Sequence, residues 1–85
     1  MHLIAHGRVQ GVFFRDSVRR RAEGSGVAGW ASNRDDGTVE VVLEGQAEAV
    51  DSMVEYCRSG PGRAEVARLD VTEEKPEGLG GFQVR

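Results

Sequence analysis

Arg15 closes a ten-residue stretch, His6-Gly7-Arg8-Val9-Gln10-Gly11-Val12-Phe13-Phe14-Arg15, whose residue types suit the holding of an anion. Gly7 and Gly11 interrupt an apolar strand, and a helical pattern of Phe14, Val18 and Ala22 starts at once. A strand that turns through glycines directly into a helix leaves backbone N–H groups without internal partners. Together with the positive end of the helix dipole, those donors make an anion site before any side chain is counted. Arg15 falls in the first helical turn, where its planar fork can close over an anion held by the loop. Most glycine turns of this kind bind nothing, and a first-turn arginine is commonly a solvated surface residue. Spacing alone leaves both readings open. The stretch is no Walker loop, because no Lys-Ser or Lys-Thr follows Gly11, and no Rossmann fingerprint, for want of a third glycine.

Other residues invite chemistry less strongly. His2 and His6 share one face of the first strand, but no cysteine or third clustered ligand joins them, so no metal site is expected. Asp35 and Asp36 could pair for acid–base work, yet they fall in an Asp-Gly turn where aspartate is favoured for local hydrogen bonding. Cys57 is the sole cysteine, which rules out an internal disulfide and any two-cysteine metal or redox motif. Its helical spacing with Val50, Met53 and Val54 makes it a small core residue. Trp30 is read as core. Arg19, Arg20 and Arg21 are read as cations favoured near the C-terminal end of a helix.

The elements that must position the Arg15 stretch are set by hydrophobic period and turn chemistry. Residues 2–8 alternate as a strand, with Leu3 and Ala5 on one face. A helix over residues 14–23 carries the stripe Phe14, Val18 and Ala22 and is stopped by Gly24 and Gly26, with Val27 folding back. Strands over 27–33 and 38–44 flank Arg34-Asp35-Asp36-Gly37, a hairpin signal. In the second of them Val39, Val41 and Leu43 face inward, while Thr38, Glu40 and Glu44 face water. A second helix spans 46–58, with Ala47, Val50, Met53, Val54 and Cys57 inward. After Ser59-Gly60-Pro61-Gly62, residues 64–72 form a strand in which Val66 is out of phase with Leu69 and Val71, the mark of a bulge or strong twist. Phe82 and Val84 make a short closing strand. The order β-α-β-β-α-β predicts an α+β fold, a ferredoxin-like split β-α-β sandwich. It has four antiparallel strands, both helices on one face and a short C-terminal strand. Many functions share that fold, so the site has to decide.

Composition narrows the partners. At 85 residues, with 39% hydrophobic and 29% charged, the chain makes one globular domain over 1–85. No apolar run approaches the ~20 residues of a membrane span, and the start lacks the zones of a signal peptide. A cytoplasmic protein with no membrane partner is expected. The net charge of −3 is uneven: residues 1–30 carry five arginines against two acids, residues 31–85 six basic against twelve acidic groups. A basic N-terminal third on an acidic body suits a small anion better than a nucleic-acid backbone. RNA-recognition sheets also need aromatics on the open face, and residues 38–44 hold none.

Two stretches together carry a family resemblance. Residues 7–15, Gly-Arg-Val-Gln-Gly-Val-Phe-Phe-Arg, and residues 29–40, Gly-Trp-Ala-Ser-Asn-Arg-Asp-Asp-Gly-Thr-Val-Glu, resemble the two signature blocks of the acylphosphatase family. The likeness extends to Gly60-Pro61, Ala64-Glu65-Val66 and Phe82-Gln83-Val84-Arg85, hence along essentially the whole chain. It implies that Arg15 is the phosphate-binding arginine and that Asn33 holds the attacking water. It also implies that the backbone N–H groups of Val9, Gln10, Gly11, Val12, Phe13 and Phe14 complete the cradle. The implied activity is metal-independent hydrolysis of small acyl phosphates, with inorganic phosphate or other anions entering the same site. A monomer without cofactor is expected. Ser32 departs from the pattern, since family members often carry a basic residue there, and affinity for the acyl part or for bulky anionic substrates is expected to differ.

The residue types suit that chemistry. An acyl phosphate is a mixed anhydride with a good leaving group, so its hydrolysis needs positioning and charge stabilisation more than strong acid–base help. The Asn33 amide can hold a water by donating and accepting, but it cannot titrate. The substrate's own phosphate oxygen is then left to take the water's proton. A non-catalytic anion-binding module of the same fold is the competing reading. Such a module would need the cradle and Arg15 but not Asn33, so the presence of both favours an enzyme.

Overall fold

Alternation and helical period resolve into two layers in the computed structural model, which describes residues 1–85. β1 (His2–Arg8), β2 (Ala28–Asn33), β3 (Val39–Glu44), β4 (Glu65–Thr72) and β5 (Phe82–Val84) form one sheet in the order β4-β1-β3-β2-β5. β5 runs parallel to β2, and every other neighbouring pair is antiparallel. Leu3, Ala5, Val39, Val41 and Leu43 alternate inward along β1 and β3 and are completely buried. They meet Phe14, Val18 and Ala22 of α1 (Phe14–Ser25) and Val50, Met53, Val54 and Cys57 of α2 (Ala47–Arg58) in one core. Burying each of the larger side chains is worth about 1.5–3 kcal/mol. The expected ferredoxin-like sandwich is the observed one. Burial in this core pushes the Cys57 thiol up to about 12, so it stays protonated and unreactive at neutral pH.

Several details differ from the sequence reading. α1 continues through Gly24 to Ser25 and ends only at Gly26, where φ is 70°. A glycine lowers helix propensity but does not stop a helix; the left-handed residue does, and the Gly26 and Val27 N–H groups both turn back to the Ala22 carbonyl. Arg19, Arg20 and Arg21 therefore sit inside the helix and not at its end. Arg19 bonds Asp16 at 2.7 Å and Glu23 at 2.9 Å, Arg20 bonds Asp16 at 3.0 Å, and Arg21 lies over the Tyr56 ring. Trp30 is not core. β2 turns Gly29 and Ala31 inward, and Trp30 lies half-buried on the open sheet face under the Arg85 guanidinium. Ala47 is exposed, Ala49 packing at the core margin in its place, and Thr38 is buried. The irregularity expected in β4 is present as a register step. His6 pairs with Arg68 but Gly7 with Val66, leaving Ala67 as the extra residue.

Gly29 is the tightest point of the sheet. Its φ is 149°, and a Cβ built there would collide with the Val42 carbonyl oxygen. Gly29→Ala is expected to lower the urea unfolding free energy by at least about 2 kcal/mol. Gly24→Ala, in the helix with no heavy atom within 4 Å of the new methyl, should raise it by up to about 1 kcal/mol. A Gly29→Ala protein as stable as the wild type would overturn the clash.

Candidate active site

The loop from Val9 to Phe13 is held open by what lies on either side of it. Val9, Val12 and Phe14 are buried, whereas Gly11 and Phe13 face solvent, Phe13 with 80% of its surface exposed. Gly11 has φ 72° and Phe13 has φ 60° and ψ 24°, the only non-glycine residue with positive φ. A bulky residue in that region costs about 1–3 kcal/mol, a strain that concentrates at functional turns. None of the N–H groups of residues 9–13 donates to an acceptor in the protein. α1 then starts at Phe14 with no side-chain cap, so its first N–H groups add to the row. Left-handed residues set among such donors form anion-binding concavities.

Arg15 lines the cleft beside this loop. The cleft encloses about 320 Å³ and is shared with Val9, Gly11, Phe13, Phe14 and Val84. Arg15 Nη1 donates to the Arg85 carbonyl at 2.5 Å, and Arg85 is itself fixed by its N–H to the Ala31 carbonyl at 2.8 Å. One branch of the fork is thus anchored by the strand that β5 adds to the sheet edge. Asp16 and Arg19 also border the cleft. Hydrogen bonding from Arg19 first, with Arg20 beside it, holds the Asp16 carboxyl below the usual carboxylate range. The carboxylate that borders the cleft is therefore ion-paired within the helix. A larger cavity of about 570 Å³ lies elsewhere, bordered by Glu44, Asp51, Glu73 and Glu74, and its charge is wrong for an anion.

Asn33 ends β2, exposed, opposite Val39. It does not line the Arg15 cleft, but the two lie at the same end of the sheet, after the parallel-running β1 and β2. Gln10 joins their neighbourhoods. Its Nε2 donates to the Arg34 carbonyl at 2.8 Å and to the Thr38 carbonyl at 2.9 Å, tying the loop to the hairpin that opens at Asn33. Asp36 closes the same hairpin, accepting from the Thr38 N–H at 3.0 Å and its hydroxyl at 2.6 Å, and those bonds keep its pKa low. The role of the Gln10 side chain is invisible to sequence reasoning, which reaches only its N–H. Nothing near Gln10 in the chain signals a partner 24 residues away. The two histidines are taken up separately, His2 by Glu40 at 2.7 Å and His6 by Asp70 at 2.8 Å.

Comparison with known proteins finds relatives along the whole chain. The family model described as acylphosphatase matches residues 1–84. An acylphosphatase of Haloarcula marismortui is 50% identical over 84 residues, covering 99% of this chain and 92% of that protein. One of Rubrobacter xylanophilus is 56% identical over 80 residues, or 93% and 73% of the two chains. The crystal structure of acylphosphatase from Bacillus subtilis superposes with a TM-score of 0.93 at 40% identity, covering 99% of this chain and 94% of that one. A match of sequence and fold from end to end means that the chain belongs to the acylphosphatase family of hydrolases.

Proposed function

We propose that the chain hydrolyses the carboxyl–phosphate bond of small acyl phosphates, with Arg15 and Asn33 as its catalytic side chains and no metal or cofactor. The observation that carries this reading is the row of N–H groups at residues 9–13 with no acceptor in the protein, beside an arginine in the first helical turn. The donors of residues 9–14 and the free branch of the Arg15 fork bind the phosphoryl oxygens and stabilise charge on them in the transition state. Asn33 orients a water toward phosphorus. The water oxygen forms the new P–O bond, the bond to the acyl oxygen breaks, and the carboxylate leaves with its electron pair. The water's proton passes to a phosphoryl oxygen of the substrate, so no titrating side chain is required. Inorganic phosphate occupies the same cradle.

Purified protein should turn over benzoyl phosphate in excess chelator, with inorganic phosphate as a competitive inhibitor. Activity that disappears with chelator and returns with a divalent ion would overturn the metal-free mechanism.

Kinetic signatures separate the two side chains. Arg15→Ala should weaken phosphate inhibition and lower kcat, and Arg15→Lys should rescue it poorly, since a point charge does not reproduce the fork. Asn33→Ala should lower kcat by about 10²–10³ with little change in the phosphate inhibition constant. Both variants should melt close to the wild type, because neither side chain belongs to the core. An Asn33→Ala enzyme with near-normal kcat would sink the water-positioning role and favour a binding module.

A further inference from the structure

Most arginines of this acidic chain are engaged. Arg19, Arg20, Arg58 and Arg68 bond carboxylates, Arg21 and Arg85 lie on aromatic rings, and Arg15 donates to the Arg85 carbonyl. The side chains of Arg8, Arg34 and Arg63 make no hydrogen bond, ion pair or ring contact. Two of these three share one open groove of about 450 Å³, Arg8 at the end of β1 and Arg63 in the turn before β4. Gly11 and Phe13 border this groove and also the Arg15 cleft, so the two spaces meet across the candidate cradle. No acidic side chain lines the groove, and Ser17 adds a hydroxyl that makes no hydrogen bond. Glu65 stands opposite Arg8 in the β1–β4 register, yet it forms no ion pair with it.

Two guanidinium groups without counter-charge, in a chain of net charge −3, attract an anion. If the reacting phosphate fills the cradle, a charge in the adjoining groove must come from the rest of the same substrate. We propose that Arg8 and Arg63 form a second anion subsite, which selects acyl phosphates carrying a further carboxylate or phosphate on the acyl part. The proposal rests on the cradle at residues 9–14 holding the reacting phosphoryl group. Phe13, exposed between the two spaces, supplies an apolar surface for the stretch of substrate that joins the two charges.

The test compares benzoyl phosphate with 4-carboxybenzoyl phosphate and 4-phosphonobenzoyl phosphate. The proteins are the wild type, the Arg8→Gln/Arg63→Gln double variant and the charge-keeping Arg8→Lys/Arg63→Lys variant. The wild type should show a KM roughly three- to tenfold lower for at least one charged substrate than for benzoyl phosphate. The advantage should shrink at high salt, as for any exposed pairing of charges. It should vanish in the glutamine variant and survive in part in the lysine variant, while benzoyl phosphate kinetics stay near those of the wild type. The larger gain of the two charged probes tells a carboxylate preference from a phosphate preference. Normal turnover of benzoyl phosphate with no advantage for either charged probe would overturn the subsite and leave the hydrolase reading standing. An advantage that persists in the glutamine variant would overturn the assignment to Arg8 and Arg63. Absence of benzoyl phosphate turnover in the wild type would instead remove the reading on which the subsite rests.

Discussion

The turn between β1 and α1 is the constraint on which the rest of the structure depends. Backbone N–H groups are obligatory donors, and a segment that leaves five of them without a protein acceptor survives only where water or a ligand can reach it. The turn meets that condition because Gly11 and Phe13 lie on the surface. It avoids rewinding into a longer helix because Val9, Val12 and Phe14 are all drawn into the core, and Phe14, two residues beyond Val12 and five beyond Val9, is off the face that a regular helix would give the other two. Burial of those three side chains offsets the roughly 1–3 kcal/mol that a left-handed Phe13 costs. An open row of donors is therefore a property of the core around it, and not of the loop alone.

Electrostatics obey the same logic. An anion site on a chain with an acidic excess works only if nearby carboxylates are occupied. Asp16 is taken by Arg19 and Arg20, and Asp36 by the Thr38 hydroxyl and N–H. Four further acids, Glu44, Asp51, Glu73 and Glu74, border the larger cavity away from the loop. Even there Glu44 is put to structural use, accepting from the N–H groups of Glu77 and Leu79 and so holding the loop that leads into β5. β5 in turn carries Arg85 to the Arg15 guanidinium. A carboxylate far from the cradle thus helps to place the chain segment that anchors its arginine.

How far the sequence discloses all this depends on the range of the interaction. Strand alternation in β1 and β3, the stripe of α1 and the Asp-Gly hairpin are local patterns, and each becomes the element it signals. The phase break in β4 also foretells its register step. Of the site residues, Arg15 and the glycine turn are readable from residue type and spacing, while Asn33 enters only through the family resemblance. Features set by distant partners are not readable. Gln10 bonds the far hairpin, Arg85 reaches Arg15 only because β5 joins β2, and Trp30 faces outward because β2 turns Gly29 and Ala31 to the core. The arginine triplet misleads for a related reason: whether a cation ends a helix depends on where the left-handed residue falls, and Gly26, not Gly24, takes that conformation.

Topology also brings residues 15 and 33 to the same end of the sheet. In the order β4-β1-β3-β2, β1 and β2 run the same way on either side of β3. Their C-terminal ends therefore fall on one edge of the sheet, two strand spacings or about 10 Å apart. β1 leads into a helix start, rich in donors; β2 leads into a hairpin, rich in carbonyls and in side chains at a strand end. Gln10 spans the interval between them with one amide that bonds two hairpin carbonyls. The proposed division of labour, an anion held after β1 and a water held after β2, is then a consequence of strand order. A hydrolysis needing a strong general base would require a third, titrating group aimed into the same gap; the histidines of this chain are committed to Glu40 and Asp70 on the open sheet face, and Asp16, which borders the cleft, is bonded to Arg19 and Arg20. The proposed substrates, which carry their own proton acceptor, fit this arrangement.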